Sequence, residues 1–436
     1  MIVERENNIL IIGAGTWGCS IALELARRGC TRIKVLDGSS FPSAISAGND
    51  LNKIAEEANV PSGTDNDESY FWNHLTRLAM HSWLHDPLFA PFYHETGFIM
   101  AAAGDEAYER CVEYAEDEDA DLIPLKSKEN FHSTMPTGVL QGDFPGWRGF
   151  WKQRGAGWVF ARGAIKAMYD EARRLGVRFV TGELEGNVTE IMLTFTNRDS
   201  VLGARTTDGI MHTANQTILA AGANSSALLD FKKQIRATAW TLAHVPLSAE
   251  EAPLYKNLPV LYGVDRGFFI EPDVDKHEMK ICDEHPGYIN PVMDSNGEMH
   301  SVPFARHQIP REAETRMRLF LSETMPHLPE REFSFARICW DADTVDRMFL
   351  IDRHPELKNL VVAVGGSGNG FMACPAIGIL VADVLQDKGE IEARFRKMMR
   401  WRPETSVDRN WWDTQGRYGA DGKVMDFRNV EEWTSI

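Results

Sequence analysis

The chain has 436 residues, 43% hydrophobic and 25% charged, the balance of an ordinary globular protein. That length exceeds what one hydrophobic core serves, so two connected domains are expected. A formal charge of −17 argues against nucleic acid or an anionic membrane as partner, because both need a basic surface.

The first element is the apolar run Ile9-Leu10-Ile11-Ile12, of the kind buried on both faces of a parallel sheet. Because it follows Met1 so closely no signal peptide is expected, and no apolar run is long enough for a membrane span. Gly13, Gly15 and Gly18 follow as G-x-G-x-x-G, with Thr16 and Trp17 opening a helix that reaches Arg28 and stops at Gly29. A second strand, Ile33 to Leu36, ends at Asp37 and Gly38. Gly13 permits a tight turn, Gly15 lets a pyrophosphate approach the backbone, and Gly18 lets helix and strand pack closely. The helix start offers unpaired N–H groups to phosphate. Asp37 lies 19 residues after Gly18, where a carboxylate accepts ribose hydroxyls. Framed in this way, the motif predicts dinucleotide binding.

Segment 60–68 reads as a polar loop leading into a helical, aromatic-rich region that holds Trp72, Trp83, Phe89, Phe92 and Tyr93. Next come Gly157, a helix from Ala161 to Leu175, Gly176 and a strand from Val177 to Val180, with Val180 beside the nucleotide. Residues 184–213 alternate like an antiparallel ribbon. The apolar stretch from Thr217 runs into Ala221, Gly222 and Ala223, small enough to pass close to a cofactor. Strands from Trp240 to Val245, Gly267 to Glu271 and Glu278 to Asp283 suggest an antiparallel sheet, followed by a helix from Glu312 to Met325. The nucleotide pattern then returns: a strand from Leu360 to Val364, a loop containing Gly366, Gly368, Asn369, Gly370 and Phe371, and a helix from Ala376 to Leu385. Two such units separated by an antiparallel insertion fit a flavoprotein better than a simple NAD dehydrogenase. The second loop would aim its amides at the flavin pyrimidine.

The expected fold is therefore α/β: a Rossmann-type FAD-binding domain with an inserted α+β substrate domain built on an antiparallel sheet. Its boundaries are 1–62, 150–235 and 336–395 for the FAD domain and 63–149 and 236–335 for the substrate domain, with 396–436 closing the active site. The cysteines Cys19, Cys30, Cys111, Cys282, Cys339 and Cys374 lack C-x-x-C pairs, which speaks for a reducing compartment and against a metal site. The chain ends in Thr434-Ser435-Ile436, not a peroxisomal S-K-L, so a cytoplasmic location is expected.

Seven stretches carry a family resemblance: IIGAGTWGCSIALELARRG (11–29), PSAISAGNDLNKI (42–54), HDPLFAPFYHETG (85–97), GVLQGDFPGW (138–147), MKICDEHPGY (279–288), FSFARICW (333–340) and RNWWDTQGRYG (409–419). On these the chain resembles the fungal fructosyl amino acid oxidases (amadoriases), within the sarcosine oxidase and D-amino acid oxidase group. The resemblance implies an FAD-dependent oxidase of secondary amines, with a small-molecule amine and O2 as partners, acting as a monomer. The products would be an imine, then amino acid, glucosone and H2O2.

It also implies roles. Cys339, which alone would read as an inert buried thiol, matches the cysteine that carries FAD as an 8α-thioether. Lys53 lies over the flavin, and Lys280 matches the lysine that promotes reaction with oxygen. Glu284 matches a substrate-contacting acid, and Arg409 the arginine that clamps the substrate carboxylate. Ser43 and Ser46 would reach flavin phosphate or ring atoms. Two departures stand out: Met372 follows the last glycine loop where the family carries lysine, and Asp341 stands where it often has cysteine. Methionine pairs with no carboxylate and donates to no hydroxyl, so other N-alkyl, saccharopine-like or cyclic amino acids stay open as substrates. An NAD dehydrogenase or a non-catalytic flavin protein are more remote alternatives.

Overall fold

In the computed structural model, which describes residues 7–57, 66–117, 121–273, 275–294, 297–386, 392–417 and 422–435, Ile9–Ile12 lies inside a six-stranded sheet. The order is Leu350–Arg353, Leu360–Val364, Gln216–Leu219, Ile9–Ile12, Ile33–Asp37, Arg178–Thr181. Every neighbouring pair is parallel except the first. Side chains alternate between two covers. Ile9, Ile11, Val35, Ile218 and Val361 face a helical layer that includes Thr16–Arg27, Ala161–Arg174 and Cys374–Gln386. Leu10, Ile12, Leu36, Leu219 and Val362 face the three-stranded antiparallel sheet formed by residues 188–213. Burial on both faces explains why these strands read as continuous apolar runs.

The arrangement brings three turns together at the carboxyl ends of adjacent strands. Gly13 has φ +108°, and a Cβ there would lie 2.4 Å from Ala220 O. Trp17 Nε1 donates to Gly370 O (2.9 Å), which ties the first glycine loop to the second. The helices behind the two loops cross at Ser20 and Gly378, where Gly378 N donates to Ser20 Oγ (3.0 Å). Ligands of open α/β sheets bind at this edge.

The second sheet has ten strands, built around Ile235–Pro246, Glu278–Asp283 and Gly267–Ile270. Phe335–Thr344 pairs along the outer side of Ile235–Pro246, from Ile235 opposite Thr344 to His244 opposite Phe335. The sheet is mixed rather than purely antiparallel: Val260–Gly263 runs parallel to Phe98–Ala102, and Tyr288–Ile289 parallel to Met425–Asp426. Both pairings join segments far apart in sequence, which no local pattern reports.

Two boundaries differ from expectation. The helix Asp67–His85 buries Phe71, Leu75, Ala79, Met80 and Trp83 in the nucleotide-side core, so it packs with the first sheet rather than the second. Asp67 and Glu68 belong to its first turn, capped by Asn66, while residues 60–65 of the expected polar loop lie outside the described residues. Conversely, Phe335–Thr344 belongs to the second sheet. Among the described residues no helix is long and apolar enough to cross a membrane.

Gly18 tests the turn. A Cβ there would lie 1.8 Å from Gly13 O, a backbone atom that cannot swing aside. Gly18→Ala is expected to abolish retention of a dinucleotide and to lower the melting temperature; the ratio of cofactor to protein absorbance in the purified variant checks it.

Candidate active site

The nucleotide end is built from the first loop. Gly15 caps the helix Thr16–Arg27 without a side-chain hydrogen bond, so the amides of the first turn are left for a ligand. A Cβ on Gly15 would meet only Ser46 Oγ, at 3.6 Å, which leaves room for a phosphate and puts Ser46 beside it. Asp37 accepts from Ala14 N (2.7 Å) and Ser39 N (2.9 Å). Burial pushes its carboxyl up, and those two amides counter the push. Gly38 packs on Asn187, and Val180 lies on the strand beside Asp37. Ala221 and Gly222 form the turn after Gln216–Leu219. Ser43 is buried, and its carbonyl accepts from Asn49 Nδ2 (3.0 Å). In the second loop Asn369 N turns back to Gly366 O (2.8 Å), Phe371 is buried, and Met372 O accepts from Trp83 Nε1 (2.7 Å). An uncapped helix start, an open glycine and an acid at the second strand's end fit a dinucleotide.

Next to this edge lies a buried charge cluster. Asp50 Oδ2 is 2.6 Å from Lys280 Nζ and 2.9 Å from Lys53 Nζ. Lys280 Nζ also donates to Asn52 O (2.9 Å). Burial works against the Asp50 carboxylate, but Lys280, Lys53 and Arg337 outweigh it and hold the group well below the carboxylate range. Burial likewise opposes the Lys53 charge, and Asp50 overcomes it, keeping the ammonium above the usual lysine value. Arg337 gathers the loop around Asp50 by donating to Ala44 O (2.7 Å), Ser46 O (3.2 Å) and Asn49 O (3.0 Å). Cys339, two residues further on the same strand face, packs with Ala47, Leu242 and Cys282.

The same face continues. Asp341 accepts from Gly368 N in the second glycine loop. Asp343 takes a two-pronged pair from Arg417 (2.5 and 3.1 Å), with Arg236 Nη2 3.9 Å away. Arg417 lies over the Trp240 ring, 4.3 Å from its centroid. Burial pushes Glu284 up to about 8; Arg417, Arg347 and Arg110 pull it back, while Asp283 adds to the rise. Burial, reinforced by Asp343, raises Asp341 to about 6. Tyr262 is driven well above its ordinary value by burial and by Glu284.

A model of the family described as FAD dependent oxidoreductase matches residues 8–384. The chain belongs to that family. It is similar to L-saccharopine oxidase of Schizosaccharomyces pombe, 28% identical over 93% of this chain and 96% of that protein. Two solved structures from Aspergillus fumigatus are nearer. Fructosyl amine:oxygen oxidoreductase (Amadoriase I) is 52% identical, with TM-score 0.96, over 100% of this chain and 98% of that one. Fructosamine oxidase (Amadoriase II), a deglycating enzyme, is 48% identical, with TM-score 0.94, over 100% and 98%. This enzyme is accordingly an amadoriase relative, an FAD-dependent oxidoreductase acting on a CH–NH donor, with a small-molecule substrate and O2 as its partners.

The structure gathers Lys53, Lys280 and Cys339 around Asp50, and it puts Glu284 with three guanidiniums. Arg409 is placed elsewhere: it donates to Lys233 O (2.8 Å) and Asp343 O (3.0 Å), so backbone carbonyls occupy its guanidinium. The guanidinium foremost beside Glu284 is that of Arg417. Sequence reading missed Asp50, Arg337, Asp343, Arg347, Arg110, Arg417 and Tyr262. Alternation along Phe335–Thr344 was an available signal for Arg337 and Asp343. Nothing local marks Arg110, and nothing within the stretch 409–419 sets Arg417 apart from Arg409; both reach the site through tertiary packing.

Glu284 has a pH consequence. Its folded value of about 8 lies above the 4.5 of an ordinary glutamate, so the native state holds the proton more tightly. The resulting stabilisation is full below pH 4.5 and lost as pH rises through 8. Glu284→Gln removes this dependence. Melting temperatures compared from pH 4.5 to 9 are expected to show wild type losing stability relative to the variant as pH rises.

Proposed function

We propose that the enzyme oxidises the secondary amine of a fructosyl amino acid to an imine, which water hydrolyses to amino acid and glucosone while O2 leaves as H2O2. The observation that carries this reading is the joint presence of the Asp50–Lys280 pair and the Glu284–Arg417 group in a chain 52% identical over its whole length to a fructosyl amine oxidase. Bound FAD supplies the two-electron acceptor and passes the electrons to oxygen. The residues supply position and charge. Lys280, fixed by Asp50, presents an ammonium that stabilises negative charge developing on oxygen in a dry site. Arg417 offers N–H donors to a carboxylate. Glu284, raised to about 8, is matched to take up or return the proton of a secondary amine, which must be neutral before its neighbouring C–H is oxidised.

A second reading has its own observation. Met372 replaces the family's lysine and is half-buried against the nucleotide-side core, so it contributes no charge to the substrate. That favours another N-substituted amino acid, and the likeness to L-saccharopine oxidase points the same way. A peroxide-release screen over fructosyl-glycine, fructosyl-valine, fructosyl-lysine, sarcosine, saccharopine and pipecolate separates the two. Fructosyl amino acids are expected to give the highest kcat/KM, and Met372→Lys is expected to raise it further. Turnover of saccharopine alone would move the assignment to the second reading.

Cys339 is the proposed attachment point. It lies on the strand face beside the Asp50–Lys53 pair and packs against Ala47, Leu242 and Cys282. The nearby Cys282 is held up to about 12 by burial, which keeps it a thiol. Cys339→Ser is expected to release flavin into acid supernatant, whereas Cys282→Ser keeps it on the precipitated chain. Absorbance of the two fractions reads the result.

A further inference from the structure

Lys34 and Arg178 are register partners on the parallel strands Ile33–Asp37 and Arg178–Thr181, so their side chains leave the same face of the sheet side by side. Like charges opposite one another on paired strands repel. The chain has 63 acidic residues against 46 lysines and arginines, yet among the described residues neither of these two cations forms an ion pair. Burial, reinforced by Arg178, pulls the Lys34 ammonium below the usual lysine value, and no carboxylate counters the pull.

Lys34 is nonetheless held in place by a buried relay. Its Nζ donates to His212 Nδ1 (3.3 Å), which leaves the ring proton on Nε2, 3.3 Å from Thr206 Oγ1. That hydroxyl in turn donates to Asp208 Oδ1 (2.6 Å). His212 is 8% exposed and Thr206 1%, so the relay is part of the packed interior. It settles one ammonium hydrogen on a neutral ring and keeps the acid at its far end away from Lys34. The other ammonium hydrogens and the Arg178 fork have no acceptor among the described residues. The pair also stands apart from the nucleotide. Lys34 precedes Asp37 by three residues, about 10 Å along a strand, and the glycine loops lie at the Asp37 end.

We propose that Lys34 and Arg178 form a second anion site, for a phosphoryl dianion, at the outer edge of the nucleotide sheet. Two adjacent cations suit a dianion, whose oxygens can meet the planar fork of Arg178 and the ammonium of Lys34 together. A single carboxylate would neutralise only one of them. The site is independent of the substrate reading above.

The test follows the melting midpoint of the FAD-loaded enzyme at pH 8 against inorganic phosphate, with chloride matching the ionic strength in the control. Wild type is expected to gain stability over chloride, half-saturating below about 10 mM phosphate. Arg178→Met is expected to lose that affinity by about tenfold or more. In phosphate-free, low-salt buffer it should melt no lower than wild type, because the repulsion is gone. Lys34→Met should lose the phosphate gain as well, and Arg178→Lys, which keeps the charge without the fork, should keep part of it. An equal gain in wild type and both Met variants places the anion elsewhere and overturns the site. So does Arg178→Met melting below wild type without phosphate, which would mean that Arg178 already has a partner. No gain over chloride, or half-saturation above about 10 mM, means an adventitious ion only and overturns it too. Glucose 6-phosphate is the second probe. Provided Arg178→Met abolishes the effect, tighter binding than inorganic phosphate identifies a phosphomonoester as the ligand and weaker binding the free ion, and either supports the site.

Discussion

One face of one strand organises the active site. Along Phe335–Thr344 the residues Arg337, Cys339, Asp341 and Asp343 alternate with Ile338, Trp340 and Ala342, so period-two geometry sends all four polar or reactive groups the same way. Each meets a different part of the cofactor edge: Arg337 the loop around Asp50, Cys339 the cluster with Ala47, Asp341 the second glycine loop, and Asp343 the guanidinium of Arg417. The long pairing with Ile235–Pro246 fixes the register, placing Leu242, Trp240, Thr238 and Arg236 opposite them. A slip of one residue would turn all four into the opposite layer and bring Ile338 and Trp340 to the flavin edge. Ten paired residues and burial on both sides guard against that slip.

The neighbouring strand repeats the device. Lys280, Cys282 and the following Glu284 share parity, while Met279 and Ile281 enter the separate core behind the sheet. Lys280 is only 1% exposed, a state an ammonium tolerates when a carboxylate and a carbonyl meet it at short range. Asp50 serves as that anion for two lysines at once. The net effect is a fixed positive field next to the nucleotide edge, set before any ligand arrives. Preorganisation of this kind costs no reorientation at the moment of reaction.

Much of the nucleotide half was legible because its signals are local. The strand Ile9–Ile12, the three glycines and Asp37 lie within one short stretch, and each residue type is forced by backbone geometry or burial. The strand Glu278–Asp283 was found at its own limits for the same reason. The rest depends on contacts the chain order hides. The helix Asp67–His85 reads as helical and aromatic-rich, but only the folded molecule shows which sheet receives Phe71 and Trp83. Arg409 and Arg417 belong to one stretch, and both are arginines among aromatics. What separates them is that backbone carbonyls claim the first while Asp343, 74 residues away, claims the second.

The layout also separates two groups of side chains. Asp50, Lys53, Lys280 and Cys339 form one group, tied to the loop behind the first glycine motif. Glu284, Arg347, Arg417 and the end of the second glycine loop form another. Of the two departures from the amadoriase pattern, Asp341 accepts from Gly368 N in the second glycine loop, and Met372 follows that loop and packs on the nucleotide-side core. A substitution there leaves Lys53 and Lys280 where Asp50 holds them. With the roles proposed above, oxidase chemistry and substrate choice fall to different residues, and a change of substrate need not disturb the reaction with oxygen.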